Sequence, residues 1–169
     1  MKKIIITFIM FIFPIPMFAF NLNTISGIQN SIQRWYKLTT GKNMSIDNIK
    51  CITNSIIISS KRFNISIPTI MGVIAVESSF IPTATNGVSV GLMQVQPNTL
   101  KFVRRYFHIP NGDLNNIKYS ITIGTAYLSY LKSLNLTRQE MIEDYNGGPN
   151  KAHYYIMVEN AISKMISWK

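Results

Sequence analysis

Apolar side chains return every three or four positions through most of this chain, which is the period of one face of an α-helix. Ile25, Ile28, Ile32 and Trp35 keep that period and Gly41 stops it, so the pattern predicts a helix over residues 24–38. Ser45 is placed to cap the next helix, whose stripe is Ile46, Ile49, Ile52 and Ile56. The run Ile56-Ile57-Ile58 would also suit a strand, and length decides for a helix. Ser66 ahead of Pro68 opens a third helix with Ile70, Val73, Ile74 and Phe80 turned inward, and it ends near Glu77-Ser78-Ser79, before Pro82. Residues 83–96 read as loop, in which Asn86-Gly87 marks a turn able to support one small β-hairpin near residues 83–91. Pro97 opens another helix, and Ile117, Ile121, Gly124, Leu128 and Leu131 stripe a long one in which Gly124 admits a close neighbouring backbone. Thr137-Arg138-Gln139-Glu140 has the form of a capping box. Asn146-Gly147-Gly148-Pro149-Asn150 breaks the chain again, and Tyr155, Val158, Ile162 and Met165 stripe the last helix. The pattern predicts a mainly α domain with two conspicuous loops.

The first residues follow a different logic. Lys2-Lys3 precedes an apolar run from Ile4 to Phe13, then Pro14 and Pro16, then Met17-Phe18-Ala19, the layout of a secretory signal. Residues 1–19 are therefore expected to be a signal peptide, and residues 20–169 one domain. The stretch 4–20 is short for a spanning helix and carries two prolines, so no stable membrane span is expected once the signal is removed. The implied location is the periplasm or cell-wall space. A chain of 169 residues without repeats or a polar linker has room for one core.

Charge narrows the partners. Seventeen Lys and Arg against seven Asp and Glu give +10, and removal of Lys2 and Lys3 leaves 15 − 7 = +8. Such a balance favours a polyanion: nucleic acid, a membrane surface or a bacterial wall. No concentrated basic run is interleaved with aromatics, and export points away from nucleic acid. Cys51 stands alone, which excludes an intramolecular disulfide and a cysteine-rich zinc site; between Lys50 and Ile52 it reads as a small buried side chain. His108 and His153 lack metal-ligand spacing, so neither metal nor cofactor is expected.

Among seven acids, Glu77 has the setting of a proton donor. Val73 and Ile74 precede it within a turn, Phe80 follows, and a helix C-terminus lies beside it, all of which favour the neutral carboxyl form. Asp47 and Asp113 sit near helix starts, Glu140 belongs to the capping box, Glu143 and Glu159 fall on exposed faces, and Asp144 stays open.

Glu77-Ser78-Ser79-Phe80-Ile81-Pro82, followed by Gly91-Leu92-Met93-Gln94-Val95, Pro97 and Thr99, resembles the active-site half of the soluble lytic transglycosylase family. Residues 121–128 resemble its middle helix and Asp144-Tyr145-Asn146-Gly147-Gly148-Pro149 its Ala-Tyr-Asn loop, so the likeness spans residues 67 to about 160. The resemblance implies a lysozyme-like fold and cleavage of the β-1,4 bond between N-acetylmuramic acid and N-acetylglucosamine in peptidoglycan glycan strands. It implies Glu77 as acid and base, with Tyr145 as the hydroxyl partner that orients the carboxyl group. It implies that Gln94 and Asn146 bind sugar amides and hydroxyls; Met93 and Ser78 either line the groove or serve packing and capping. Small single-domain members accompany secretion, conjugation or pilus machines, so components of such an apparatus are possible partners. The chain departs from the family in three places. Residues 84–90 lack the Ser-x-x-Gly-Ala pattern, with Ser89 or Asn86 as substitutes; Ser120 replaces an Asn; and Asp144 replaces a small residue. With Asp144 as a second carboxylate the enzyme would be a lysozyme-type hydrolase, and without working chemistry it would be a wall-binding module.

Overall fold

The computed structural model describes residue 22 and residues 24–168; the segment expected to be a signal, 1–19, lies outside them. The described residues contain seven helices: α1 Ile25–Thr40, α2 Ile46–Phe63, α3 Ile67–Ser78, α4 Pro97–Phe107, α5 Ile117–Ser133, α6 Arg138–Tyr145 and α7 Lys151–Ser167. Local chemistry sets their ends. Thr24, Ser45, Ser66, Asn116 and Thr137 each accept a bond from a backbone N–H in the first turn, satisfying a donor that the helix leaves unpaired. The capping box at Thr137 is complete, with Glu140 Oε2 accepting from Thr137 N at 2.8 Å. Gly41, at φ 72°, closes α1 in the left-handed region.

The helix α3 is apolar on all sides, because every residue from Thr69 to Ala75 is buried. It forms the centre of the domain, and α7 packs along it while α2 packs along α5. The close approach of α7 depends on Gly72, where a Cβ would lie 2.7 Å from Ile162 Cγ1. A central helix emerges from the core only at its end, and Glu77 stands there.

Four expectations are corrected. The segment near 83–91 forms two isolated antiparallel bridges, Thr85 with Val90 and Val90 with Val95, in place of a hairpin. Asn86 Oδ1 accepts from Val88 N and Ser89 N, closing a side-chain turn before a ladder can extend. Cys51 is exposed, because the inward stripe of α2 runs through Ile49, Ile52, Ile56 and Phe63, and its neighbour in sequence points about 100° away. Ile46, at the first turn of α2, is likewise exposed, at 57%. In α7 the buried stripe is Tyr154, Val158, Ala161, Ile162 and Met165, so Tyr154 takes the inward position assigned to Tyr155.

Candidate active site

Three consecutive backbone features present Glu77 to solvent on one side only. α3 ends one residue after it, Ser79 and Phe80 adopt φ of 51° and 63°, and Phe80 is driven into the core with no exposure. Two adjacent non-glycine residues in the left-handed region are costly, and burial of the phenyl ring holds them there. The turn folds the chain back so that the segment 84–96 lies across the end of α3. Ser78 secures it: the hydroxyl donates to Leu92 O at 2.8 Å, sharing its hydrogen with Ile74 O at 3.1 Å. Ser78 is therefore a buried tie between helix and loop, and it does not line the cleft.

The loop carries Met93 and Gln94. Met93 has no exposure, and its side chain fills the space over Gly124, where a Cβ would sit 2.5 Å from Met93 Sδ and 2.8 Å from the Tyr145 hydroxyl. The close neighbour anticipated at Gly124 is thus a pair of side chains. Met93 serves packing, and its backbone is held at both ends: Met93 N donates to Ser120 Oγ at 3.3 Å and Met93 O accepts from Tyr145 Oη at 2.8 Å. The Ser120 that departs from the family pattern is fully buried and anchors this loop. Gln94, at φ 43°, donates from Nε2 to Ala84 O and Gly91 O and lines the cleft with its amide oxygen left without a partner among the described residues.

The cleft has a volume of about 390 Å³. Glu77 and Tyr145 line it together with amide and hydroxyl side chains, namely Asn86, Ser89, Gln94 and Asn146. Asn86 and Ser89, offered by the sequence as substitutes in the altered loop segment, both line it. Asn146 uses Oδ1 to accept from Gly148 N at 3.1 Å, which shapes the Gly-Gly loop, and the residue lines the cleft. Among the described residues lining the cleft, Glu77 is the one acid. Asp144 lies outside it, paired with Lys151 at 2.6 Å.

The partner expected of Tyr145 belongs to another residue. Tyr154 Oη donates to Glu77 Oε1 at 2.6 Å, whereas Tyr145 spends its hydroxyl on the loop. The reason is geometric: Tyr145 at the end of α6 reaches over Gly124 to the loop, while Tyr154 in the first turn of α7 faces α3 directly. Tyr145 nevertheless stands close enough to Glu77 to feel its charge: burial first, and then the Glu77 carboxylate, raise the Tyr145 hydroxyl well above the ordinary tyrosine range. Tyr154 is raised for the same reasons in the same order, so both hydroxyls stay protonated. Burial raises the Glu77 carboxyl above its ordinary value, and the Tyr154 hydrogen bond opposes this without cancelling it. Tyr154 occupies Oε1, and Oε2 has no hydrogen-bond partner among the described residues. The sequence spacing does not choose between Tyr154 and Tyr155, which lie four and three residues before Val158.

These features coincide with a known family. A model of the transglycosylase SLT domain matches residues 54–164. Membrane-bound lytic murein transglycosylase C of Glaesserella parasuis serovar 5 (strain SH0165) is 38% identical over 103 residues, covering 53% of this chain and 28% of that protein. This chain therefore spans less than a third of that relative's length. Among solved structures, an X-ray structure of an inactive Glu-to-Gln mutant of the lytic transglycosylase Slt from Pseudomonas aeruginosa superposes with a TM-score of 0.54 at 24% identity, over 68% of this chain and 22% of that one. That likeness carries the fold. The matched span includes α3 through α6 and every residue that lines the cleft, and on that match the chain belongs to the transglycosylase SLT domain family.

Proposed function

We propose that this domain is a peptidoglycan lytic transglycosylase that cleaves the β-1,4 bond between N-acetylmuramic acid and N-acetylglucosamine and releases a 1,6-anhydromuramic acid end. The observation that carries the reading is a lone carboxyl group, raised by burial, in an amide-lined cleft. Two-carboxylate glycosidases need a second acid on the opposite face of the sugar, and the lining of this cleft supplies none. Family membership and the relative named above support murein as the substrate.

The steps use this chain's own groups. Glu77 donates the Oε2 proton to the glycosidic oxygen as the bond to C1 breaks, with Tyr154 holding Oε1 and fixing the carboxyl plane. The 2-acetamido group of the muramic acid stabilises the cation at C1. Glu77, now a carboxylate, removes the C6 hydroxyl proton as that oxygen bonds C1, which regenerates the acid and closes the anhydro ring. The nucleophile is already tethered, so no water need be positioned. Removal of residues 1–19 as a signal, action in the periplasm or cell-wall space, and service to a secretion, conjugation or pilus machine belong to the same proposal. No helix among the described residues is long and apolar enough to cross a membrane.

Mass spectrometry of the muropeptides released from purified peptidoglycan tests the reaction. The expected ends are anhydro sugars, one water lighter than reducing ends, with Glu77→Gln folded and inactive and Asp144→Ala active. Reducing ends, with activity lost in Asp144→Ala, would establish a hydrolase. Binding without any product from folded wild-type protein would leave a silent wall-binding module.

A further inference from the structure

The cleft that holds Glu77 opens at one end onto α4. Thr99 and Tyr127 line both the cleft and a shallow depression that adds Asn98, Phe102 and Tyr130. That depression in turn shares Asn98 and Phe102 with another that adds Lys101, Arg105 and Tyr106. The three form one track. Sequence spacing explains it: positions 98, 101, 102 and 105 follow the i, i+3, i+4, i+7 rule and share a face of α4, while 127 and 130 share a face of α5.

That face is unusual for a solvated helix. Phe102 is 39% and Tyr106 51% exposed, whereas Val103 is the buried residue of α4. The rings hold one another in place, Phe102 and Tyr106 packing edge-on against Tyr130 at 4.6 and 5.2 Å between centroids. Tyr130 lies nearly parallel to Tyr127, at 16°, and Tyr127 meets Tyr145 in the cleft at 5.5 Å. A connected series of rings therefore leads outward from the acid. α4 contains no acid, and Lys101 and Arg105 have no ion-pair partner among the described residues. Contiguous exposed rings flanked by unpaired cations mark a binding surface for a ligand with flat apolar faces and negative charge.

We infer that this face is an outer subsite for the same glycan strand beyond the cleft, with the rings taking pyranose faces and Lys101 and Arg105 taking carboxylates of the stem peptides. The inference rests on peptidoglycan as the substrate. Continuity with the cleft selects this occupant: a polymer seated over Glu77 must leave the cleft, and the track leaves it at Thr99 and Tyr127.

Steady-state kinetics on three substrates tests the subsite: a peptide-free tetrasaccharide, long strands stripped of peptide, and long strands bearing peptide. Phe102→Ala with Tyr106→Ala should raise KM about tenfold on both long substrates and leave the tetrasaccharide unchanged. Lys101→Ala with Arg105→Ala should raise KM about fivefold on peptide-bearing strands and less on stripped strands, whose muramic acids keep only the short lactyl carboxylate. Phe102→Leu with Tyr106→Leu keeps apolar bulk without the ring face, and replaces the alanine pair should that pair fail to fold. Equal losses on all three substrates would overturn the subsite in favour of a structural role. Wild-type KM throughout would overturn it in favour of some other partner, with the murein reading intact. A wild-type enzyme inactive on every substrate would overturn the murein reading and this inference with it.

Discussion

In the proposed mechanism Glu77 gives a proton and then takes one back, so its carboxyl must be neutral at the start of a cycle and basic enough at the end. Burial supplies the first requirement and Tyr154 moderates it. Replacement of Tyr154 by Phe removes the one contribution that lowers the Glu77 pKa, so the acid should stay protonated to higher pH. The alkaline limb of the kcat profile is expected to move upward, while kcat falls about ten- to a hundredfold at little change in KM, the equivalent of roughly 1.5–3 kcal/mol for a bond to a charged group. A pH–rate profile identical in shape to wild type would remove Tyr154 from the positioning role. The same burial makes a stability prediction. Glu77 binds its proton more tightly folded than unfolded, so stability is lost as pH rises from the ordinary carboxylate value of 4.5 through the raised folded one. Glu77→Gln, which cannot ionise, should melt higher than wild type at neutral pH, and the two should converge below pH 4.5; thermal melts at several pH values decide it.

At the scale of elements, the site is a matter of what α5 and α7 allow to come near α3. Gly124 is the clearest case, because a methyl group there would overlap Met93 and the Tyr145 hydroxyl at once. Gly124→Ala should cost about 1–3 kcal/mol by overpacking and should lower kcat as well, because the loop carrying Gln94 is held by the Tyr145 to Met93 bond. Denaturant titration measures the first effect and turnover the second; unchanged values of both would mean that the loop tolerates displacement. These contacts also show what a sequence discloses. The long helices α1, α2, α5 and α7 were legible because their apolar stripes repeat over about four or five turns, and the caps were legible because Ser45, Ser66 and Thr137 act within a single turn. Glu77 was legible from its apolar neighbours. Tyr154 was not, because Tyr154 and Tyr155 lie three or four residues from Val158 and both fit the period; only the distant Glu77 breaks the tie. Cys51 failed by the same one-residue phase error. Ser78 and Met93 belong to the site's support because their partners, Leu92 O and Gly124, are brought in by the fold.

Across the whole molecule, charge and chemistry are separated. The cleft is lined by one acid, while the full sequence carries 17 basic residues against seven acidic ones, a strongly cationic balance. Lys101, Arg104 and Arg105 on α4 and Lys61 and Arg62 at the end of α2 contribute to it. A cationic surface raises the local concentration of domain on an anionic wall without altering the cleavage step, and the attraction acts over about the Debye length, roughly 10 Å at 0.1 M salt and 3 Å at 1 M. Binding to intact wall should therefore weaken steeply with ionic strength, whereas kcat on a short peptide-free oligosaccharide should stay nearly constant. The measurement uses Glu77→Gln, so that the wall is not consumed, sedimented with purified sacculi from low salt to 1 M. A fall in bound fraction that parallels the salt series, together with flat oligosaccharide turnover by wild-type enzyme, is the expected pair of results. Salt-insensitive sedimentation would mean that the cleft alone captures the wall and that the basic surface faces some other anion.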